Sequence, residues 1–372
     1  MTEIWNGLLA GSLAEMQRAV EVSESAGYAG IVVGDSQALG LELWSVLGAL
    51  SRTTDLDLGS AIAAPVIRHP SVTAASSATL QALTGGRFRL AVGRGDSALA
   101  FVGHAPIGTA WFRRFLVVLQ SYLQGQDVSF ATVAEFAPPG VRGIATVDAG
   151  RVPEFSTLRW LPTDLPKVPL EVAASGPRVL RAAAEVADGI LLSIGSDPER
   201  LATAMEDARR ARAEAGGDPS SLQFSALMYT VPHTDLATSE AVLAGHVAWT
   251  PRWMSASDPS LREVAAAYDM TVHHDAGADQ PGGAALAGSA RRYGVGGSPD
   301  ECIEQLQALV DLGIDRLIIP AREREEDSED QRTATRLLLR EVLPNVRPSS
   351  SRSPRDVEVS NALPTADVAE ER

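Results

Sequence analysis

Residues 72–99 read VTAASSATLQALTGGRFRLAVGRGDSAL and contain one complete unit of the fold. The pattern predicts a helix over 72–83, which leads through Gly85 and Gly86 into a short strand over 88–92. An apolar run with little polar alternation is typical of a parallel strand that is covered on both faces. A second glycine turn follows the strand directly, so the unit alternates helix and strand as an α/β protein does.

The same alternation continues on both sides of this unit. Helix starts carry clear signals, such as Asp197-Pro198 and Ser298-Pro299, where an N-cap residue precedes a proline at the first helical position. The predicted strands are 4–9, 30–34, 56–63, 88–92, 168–174, 189–193, 222–230 and 316–320. Eight strands alternating with helices over about 320 residues predict an α/β fold, a (β/α)8 TIM barrel spanning residues 1–345.

Two long segments interrupt the alternation, residues 129–166 after strand 4 and residues 245–297 after strand 7. Segments of this length are usually lids, substrate walls or disordered loops, and we expect the first to pack over the mouth of the barrel. After Pro344 the sequence becomes rich in Ser, Pro and charged residues. Such a composition cannot bury a core, so residues 346–372 are predicted to be a disordered tail.

Composition excludes several classes of function. The formal net charge of the 372-residue chain is -15, and no basic stripe offsets it, so we expect no nucleic-acid partner. A lone cysteine, Cys302, and no Cys/His cluster with metal-ligand spacing predict neither a disulfide framework nor a metal site, which suits a reducing cytoplasm. The N-terminus lacks the basic region of a signal peptide, and no apolar run approaches about 20 residues, so we expect no membrane association.

Three segments at predicted strand ends carry the functional signal: GSAIAAPVIRHP at 59–70, FRLAVGRGDSAL at 88–99 and EVAASGPR at 171–178. In order and position they resemble the luciferase-like superfamily, and GRGDSAL most resembles its F420-dependent branch, typified by methylenetetrahydromethanopterin reductase. The resemblance covers roughly residues 1–125, 165–200 and 296–320. It implies a flavin or deazaflavin held at the C-terminal ends of the strands, where TIM barrels place their active sites.

The turn Arg94, Gly95, Asp96 and Ser97 is the first candidate cofactor-binding segment. A glycine after a strand lets backbone N–H groups approach a planar polar ring closely, although an ordinary βα turn is the alternative. The spacing Gly93-x-Gly95-x-x-Ala98 also matches a dinucleotide fingerprint. We reject that interpretation because no acidic residue follows about 20 residues later and because the motif is on the fourth strand.

The turn Ala174, Ser175 and Gly176 is the second candidate segment. It joins strand 5 to a helix start, where unpaired N–H groups and the positive end of the helix dipole suit a phosphate. In relatives this segment receives the cofactor phosphate. The alternative is that Ser175 is only an N-cap.

The resemblance implies a non-proline cis peptide bond between Ala61 and Ile62, which would form a ridge against one face of the cofactor ring. An ordinary trans strand is the alternative. Asp35 and Ser36 end strand 2 and are the candidate catalytic residues. Relatives often have His after this Asp, so Ser36 argues against histidine-based proton transfer here, while Asp35 could hydrogen-bond the cofactor or substrate or simply cap the turn.

Other charged residues near the motifs have weaker assignments. Arg68, Arg94 and Arg178 could meet an anionic cofactor tail or be solvated surface residues. His69, which precedes Pro70, is expected to orient the next helix. The substrate is expected on the open face of the ring, with Trp5 among its walls.

The sequence therefore predicts an oxidoreductase that transfers a hydride between coenzyme F420 and a small organic substrate. Two alternatives remain: an FMN-dependent monooxygenase that uses reduced flavin and O2, and a non-catalytic cofactor-binding protein. A cofactor-free sugar-phosphate barrel is disfavoured, because its phosphate loops would follow strands 7 and 8. The resemblance also implies a homodimer.

Overall fold

The computed structural model describes residues 2–147, 150–255, 258–272, 281–286, 288–321, 324 and 327–347. Most of the predicted tail, residues 348–372, lies outside the described residues. Val346, the first residue of that prediction, is buried against the core. No helix in the described part of the chain combines the length and the hydropathy that a bilayer-spanning helix needs.

Eight parallel strands close into a barrel, so the predicted TIM-barrel fold is confirmed. In chain order the strands are β1 Glu3–Leu8, β2 Gly30–Val33, β3 Asp57–Ser60, β4 Phe88–Val92, β5 Leu170–Ala174, β6 Gly189–Leu192, β7 Gln223–Leu227 and β8 Arg316–Ile318. Every strand pairs with its sequence neighbour, and β1 pairs with β8 to close the ring. All their C-terminal ends therefore meet at one face.

The longer helices that follow the strands bury apolar side chains in the core around the barrel, and shorter helices lie in the connections and insertions. They are α1 Leu13–Ser25, α2 Leu43–Leu50, α3 Pro70–Leu83, α4 Ser97–Ala100, α5 Thr109–Leu123, α6 Phe130–Ala134, α7 Pro177–Val186, α8 Pro198–Glu214, α9 Leu236–Val247, α10 Thr250–Met254, α11 Arg262–Ala266, α12 Pro281–Ala284, α13 Pro299–Asp311 and α14 Glu329–Leu337. A π-helical turn, Leu338–Val342, continues α14. The sequence signals locate these helices well: Ser298 caps α13 with a complete capping box and Asp197 caps α8.

The seventh predicted strand is shorter than expected. The barrel strand β7 ends at Leu227, and Thr230–Pro232 instead pairs in parallel with Val295–Gly297 in a separate two-stranded sheet. These two short strands frame the second insertion, which contains helices α9 to α12. The apolar pattern of 222–230 continued across this change of partner, which is why it predicted one strand.

The first insertion packs against the outer helices α3 and α5, and none of its described residues lines the cavity at the strand ends. It follows α5 and precedes β5, and its hairpin pairs Val128–Ser129 with Phe155–Ser156. Phe136 packs edge-on against Trp111 of α5, at 5.2 Å between ring centroids, and 6.3 Å from the His69 ring at the start of α3. His69 Nδ1 accepts a hydrogen bond from the Ser71 amide as the N-cap of α3, which confirms its helix-orienting role.

The barrel interior is filled below the level of the strand ends. Trp5 is fully buried, and a Cβ atom on Gly30 or Gly59 would come within 2.6 Å or 3.3 Å of its ring. The Arg316 guanidinium lies 4.6 Å from the Trp5 ring centroid and forms a buried ion pair with Glu171. Burial alone would raise the pKa of Glu171, but the adjacent guanidinium groups hold it below its ordinary value. This packing fills the barrel interior beneath the C-terminal face.

Candidate active site

A cavity opens at the C-terminal ends of the strands, and its empty space together with the open mouth is about 1110 Å³. The predicted site residues that line it are Asp35, Ser36, Ala61, Ile62, Gly95, Asp96 and Ser97. Trp5 does not line it, so its prediction as a substrate wall is wrong: it lies one layer deeper, where Gly30 and Gly59 make room.

Asp35 fastens the segment after β3 to the end of β2. Its Oδ2 atom accepts hydrogen bonds from the Ala64 amide at 2.9 Å and from Arg68 Nη1 at 2.6 Å. Its other oxygen lies 3.3 Å from Arg68 Nη2, and only 1% of the side chain is exposed. Both oxygens are therefore engaged, and the contacts favour a positioning role over acid–base work.

Arg68 is equally committed, so it is not available for an anionic cofactor tail. Besides Asp35 it contacts Glu42, with Nη2 to Oε1 at 2.7 Å. Burial opposes its charge, but the hydrogen bonds and charges of both carboxylates outweigh this and raise the pKa of Arg68.

Ser36 has a buried hydroxyl group beside the cavity. The residue is 3% exposed, and its Oγ atom has no hydrogen-bond partner among the described residues. Buried polar groups are nearly always hydrogen-bonded, so an unpartnered hydroxyl on a residue that lines a cavity fits a site in which a ligand supplies the partner.

The Ala61–Ile62 peptide bond is cis, as the resemblance predicted. A Cβ atom at Gly93 would lie 2.3 Å from Ile62 Cδ1, so glycine at the end of β4 leaves room for this side chain. The Ala63 amide donates to the Ala91 carbonyl at 2.9 Å. We call Ala61 and Ile62 the ridge; Asp35 and the end of β4 hold it in the cavity.

The turn after β4 faces the ridge across the same cavity. Gly95 has φ +74°, which favours glycine, and an added Cβ would lie 2.8 Å from Leu99. The Asp96 carboxylate accepts hydrogen bonds from Arg252 Nη1, at 2.6 Å, and from the Trp253 indole. Asp96 thus ties the turn to α10 of the second insertion.

Arg94 belongs to the same turn, but its side chain does not line this cavity. Its Nε atom donates to the Ile107 carbonyl. Burial and the positive charge of Arg178 lower the pKa of Arg94, which shows that two guanidinium groups lie close together on this side of the barrel.

Ala174, Ser175 and Gly176 line a second, more open cavity on the other side of β6. Leu191 and Ser193 face the first cavity, whereas Leu192 and Ile194 face the second. The two cavities are thus neighbours, but the three predicted turns do not share one continuous space.

The second cavity has a helix N-terminus on one side and carboxylates on the other. Gly176, not Ser175, is the N-cap of α7, and no side chain caps this helix. Its first-turn amides therefore suit an anion. The acidic residues that line the cavity are Asp197, Glu199, Asp207 and Asp258, and the basic residue is Arg200.

Three aromatic residues for which the sequence predicted no role also contribute to the site. Tyr229, Trp249 and Trp253 line the first cavity. The Trp249 and Trp253 rings are 4.0 Å apart, and Tyr229 lies 6.1 Å from Trp249. The four-residue spacing of the two tryptophans was the available signal, because it places both on one side of a helical turn. Within the described residues no group of His, Cys, Asp and Glu could hold a metal ion.

A closed (β/α)8 barrel with its cavity at the C-terminal strand ends defines a TIM-barrel protein with an enzyme-type site. Residues 1–316 match the family Luciferase-like monooxygenase, and the chain belongs to that family. The resemblance stated from the sequence motifs is confirmed.

Named relatives include both F420-dependent and monooxygenase proteins. An F420-dependent glucose-6-phosphate dehydrogenase from Microbacterium testaceum is 26% identical over 316 residues, covering 81% of this chain and 82% of the relative. The structure of coenzyme F420 dependent tetrahydromethanopterin reductase from Methanopyrus kandleri has a TM-score of 0.62 at 18% identity, covering 93% of this chain and 99% of that one. Monooxygenase RslO1 from Streptomyces bottropensis has a TM-score of 0.60 at 18% identity, covering 93% and 100%. At such identities the two structures establish the shared fold alone.

Proposed function

We propose that this chain is an oxidoreductase that transfers a hydride between coenzyme F420 and a small organic substrate. The carrying observation is that the ridge and the turn at Gly95–Ser97 face one cavity, while an uncapped helix N-terminus lies in the neighbouring one. When bound, the deazaflavin would supply the redox chemistry through hydride exchange at its C5 atom, and the protein would supply position and electrostatics.

Each predicted segment has a distinct part in this proposal. The ridge, Ala61 and Ile62, would support one face of the ring, and the backbone at 95–97 would hold its polar edge. The amides after Gly176 would bind the phosphate with the help of the helix dipole. Two features of the chain fit such a group: the orphan hydroxyl of Ser36 in the ring cavity and the uncapped start of α7 in the phosphate cavity.

An FMN-dependent monooxygenase is the second candidate, and one observation favours it. Besides the turn proposed to bind the phosphate, four acidic residues and one arginine line the second cavity: Asp197, Glu199, Asp207, Asp258 and Arg200. The F420 tail carries further carboxylates after its phosphate, whereas FMN ends at its phosphate. Like charges repel, so an acidic wall is better suited to the shorter tail.

Titration of the purified protein with F420 and with FMN separates these candidates. We expect calorimetry to give a micromolar dissociation constant for F420 and negligible binding of FMN. The reverse result would replace the first candidate with the second, and binding of neither cofactor would refute both. Turnover assays with bound cofactor then distinguish an enzyme from a non-catalytic binder, which would show affinity without substrate-dependent redox change.

A further inference from the structure

We propose that the substrate is an uncharged molecule with an apolar body and a hydroxyl or carbonyl group, rather than a phosphate ester or a carboxylate. This inference deepens the proposed function and rests on it, because it concerns the space that the cofactor ring would leave open. It is carried by the lining of the first cavity, by the pairing of its charges and by one orphan hydroxyl.

The cavity wall is predominantly apolar. Aliphatic side chains line its floor and sides, among them Val32, Leu191, Leu227 and Ile318. No Lys, Arg or His is among the residues that line it in the described part of the chain. A buried phosphate or carboxylate would therefore lose its hydration without gaining a cation, which is strongly unfavourable.

The arginines next to the cavity are already neutralised. Arg68 pairs with Asp35, and Arg252 pairs with Asp96, each at 2.6 Å. Arg68 also contacts Glu42, so two carboxylates share its charge. An anionic substrate would have to compete with these carboxylates for their partners and would approach two further negative charges. The site is thus built to be neutral.

Aromatic rings form the wall on the side of the second insertion. Trp249 and Trp253 are in contact, and Tyr229 adjoins them. Asp96 accepts a hydrogen bond from the Trp253 indole and so fixes the ring that faces the cavity. Rings of this size bury roughly 150–250 Å² each, so an apolar substrate body gains most of its binding energy here.

Ser36 supplies one polar contact. The residue lines the cavity, and its hydroxyl is buried without a hydrogen-bond partner within the described residues. A single hydroxyl can donate to or accept from one neutral oxygen. A site that hydrogen-bonds a substrate oxygen in this way discriminates against analogues without it. Ser97, Ser193 and Tyr229 also bring hydroxyl groups to the lining, so its polar groups suit a neutral oxygen of the substrate better than a charged group.

A matched set of probes tests the charge preference: acetophenone, benzoate and glucose 6-phosphate, each titrated by calorimetry into the protein loaded with its cofactor and into the free protein. Acetophenone and benzoate have nearly the same shape and differ in charge. We expect acetophenone to bind at least about tenfold more tightly than benzoate, and glucose 6-phosphate not to bind. Tighter binding of either anion, or no binding of acetophenone up to millimolar concentration, would overturn the inference.

A second comparison tests the role of Ser36. Ethylbenzene keeps the shape of acetophenone but lacks its oxygen. We expect Ser36→Ala to weaken acetophenone binding about fivefold to tenfold and to leave ethylbenzene binding unchanged. The control Ser25→Ala, at the exposed end of α1, should change neither. Equal losses for both probes would show that Ser36 is structural and not a substrate contact.

The outcomes separate this inference from the function on which it rests. Failure of both F420 and FMN to bind would remove the proposed function. Normal cofactor binding together with a preference for benzoate or glucose 6-phosphate would remove the substrate inference alone.

Discussion

The ion pair between Asp35 and Arg68 offers the sharpest test of how the ridge is held. The substitution Asp35→Asn preserves the side-chain shape but removes its charge and one of its acceptor oxygens. In the native protein this carboxylate accepts from the Ala64 amide at 2.9 Å and from Arg68 at 2.6 Å, with 1% of its side chain exposed. The substitution therefore weakens two charge-assisted hydrogen bonds next to Ala61–Ile62.

The magnitude follows from burial and from the second partner of Arg68. Breaking a fully buried pair costs about 3–5 kcal/mol, and one hydrogen bond to a charged group contributes about 1.5–3 kcal/mol. Arg68 is 14% exposed and keeps Glu42 at 2.7 Å, so the lower part of this range applies. We expect Asp35→Asn to lower the free energy of unfolding by about 2–3 kcal/mol. Glu42→Gln is the matched control: its side chain is 44% exposed, and exposed pairs contribute only about 0–1 kcal/mol.

The assay is a double-mutant cycle with Asp35→Asn and Arg68→Met, followed by urea denaturation and by cofactor titration. Direct contact predicts a coupling energy above about 1 kcal/mol, because either single change already removes the shared interaction. Cofactor affinity should fall in both single variants, since the ridge loses its anchor. Two results would refute the positioning role: additive effects of the two substitutions on stability, and normal cofactor affinity in the single variants. If the pH–rate profile of Asp35→Asn also lost one of its two limbs, Asp35 would act in acid–base catalysis.

Three further predictions concern packing and pH. Gly30→Ala should prevent stable folding, because the new Cβ would lie 2.6 Å from both a backbone carbonyl and the Trp5 ring. Circular dichroism of the expressed protein measures this, and a normal thermal melting curve would contradict the packing. Gly95→Ala should lower the free energy of unfolding more than Gly103→Ala and should also weaken cofactor binding. Both glycines have positive φ, +74° and +81°, but only an added Cβ at Gly95 would have a neighbour within 4 Å. Equal losses in urea denaturation would refute the close contact. The pKa of Glu171 is lower in the folded protein than the unfolded value of about 4.3, so its ionised form stabilises the fold above that pH and this stabilisation is lost as the pH falls further. Glu171→Gln should therefore be less stable at pH 7, and its unfolding free energy should depend less on pH below about 4.3. The same loss of stability at acid pH in variant and native protein would refute this.

Local patterns were sufficient for the barrel and for its turns. Short apolar runs between glycines predicted the parallel strands, because a strand buried on both faces has no polar alternation. The depth at which a side chain lies inside the barrel could not be predicted from these patterns. Trp5 is on an inward-facing position of β1, but only the absence of side chains at Gly30 and Gly59 lets it fill the layer below the cavity. This packing involves residues of three strands, so the sequence of one strand alone does not predict it.

The two insertions start at opposite ends of the barrel, as the order of the elements requires. In a (β/α)8 barrel a segment that follows a helix starts at the N-terminal face, whereas a segment that follows a strand starts at the C-terminal face. Residues 129–166 follow α5 and so begin at the opposite end from the cavity. The second insertion follows β7 and supplies Trp249 and Trp253 to the site. The order of elements therefore separates a segment on the outer wall from one that reaches the active site.

The site contacts that the sequence did not predict are mainly ion pairs between residues far apart in the chain. The partner of Asp35 is 33 residues away, and the partner of Asp96 is 156 residues away. No local signal assigns either pair, so Asp35 was read as a catalytic candidate from its position alone.

The two acidic residues at the ends of β2 and β4 have the same effect on the cavity between them. Asp35 engages an arginine that follows the ridge, and Asp96 engages an arginine of the second insertion, so each carboxylate fixes one wall and cancels one charge. A site whose charges are paired in its walls can position a neutral ring and a neutral substrate through backbone dipoles, aromatic contacts and hydroxyl groups, because no unpaired charge has to be neutralised first. The rigidity of the ridge and the preference for uncharged substrates are then two consequences of one arrangement. Asp35→Asn leaves Arg68 with one carboxylate partner instead of two. It should therefore loosen the ridge and at the same time reduce the discrimination between acetophenone and benzoate in calorimetric titrations.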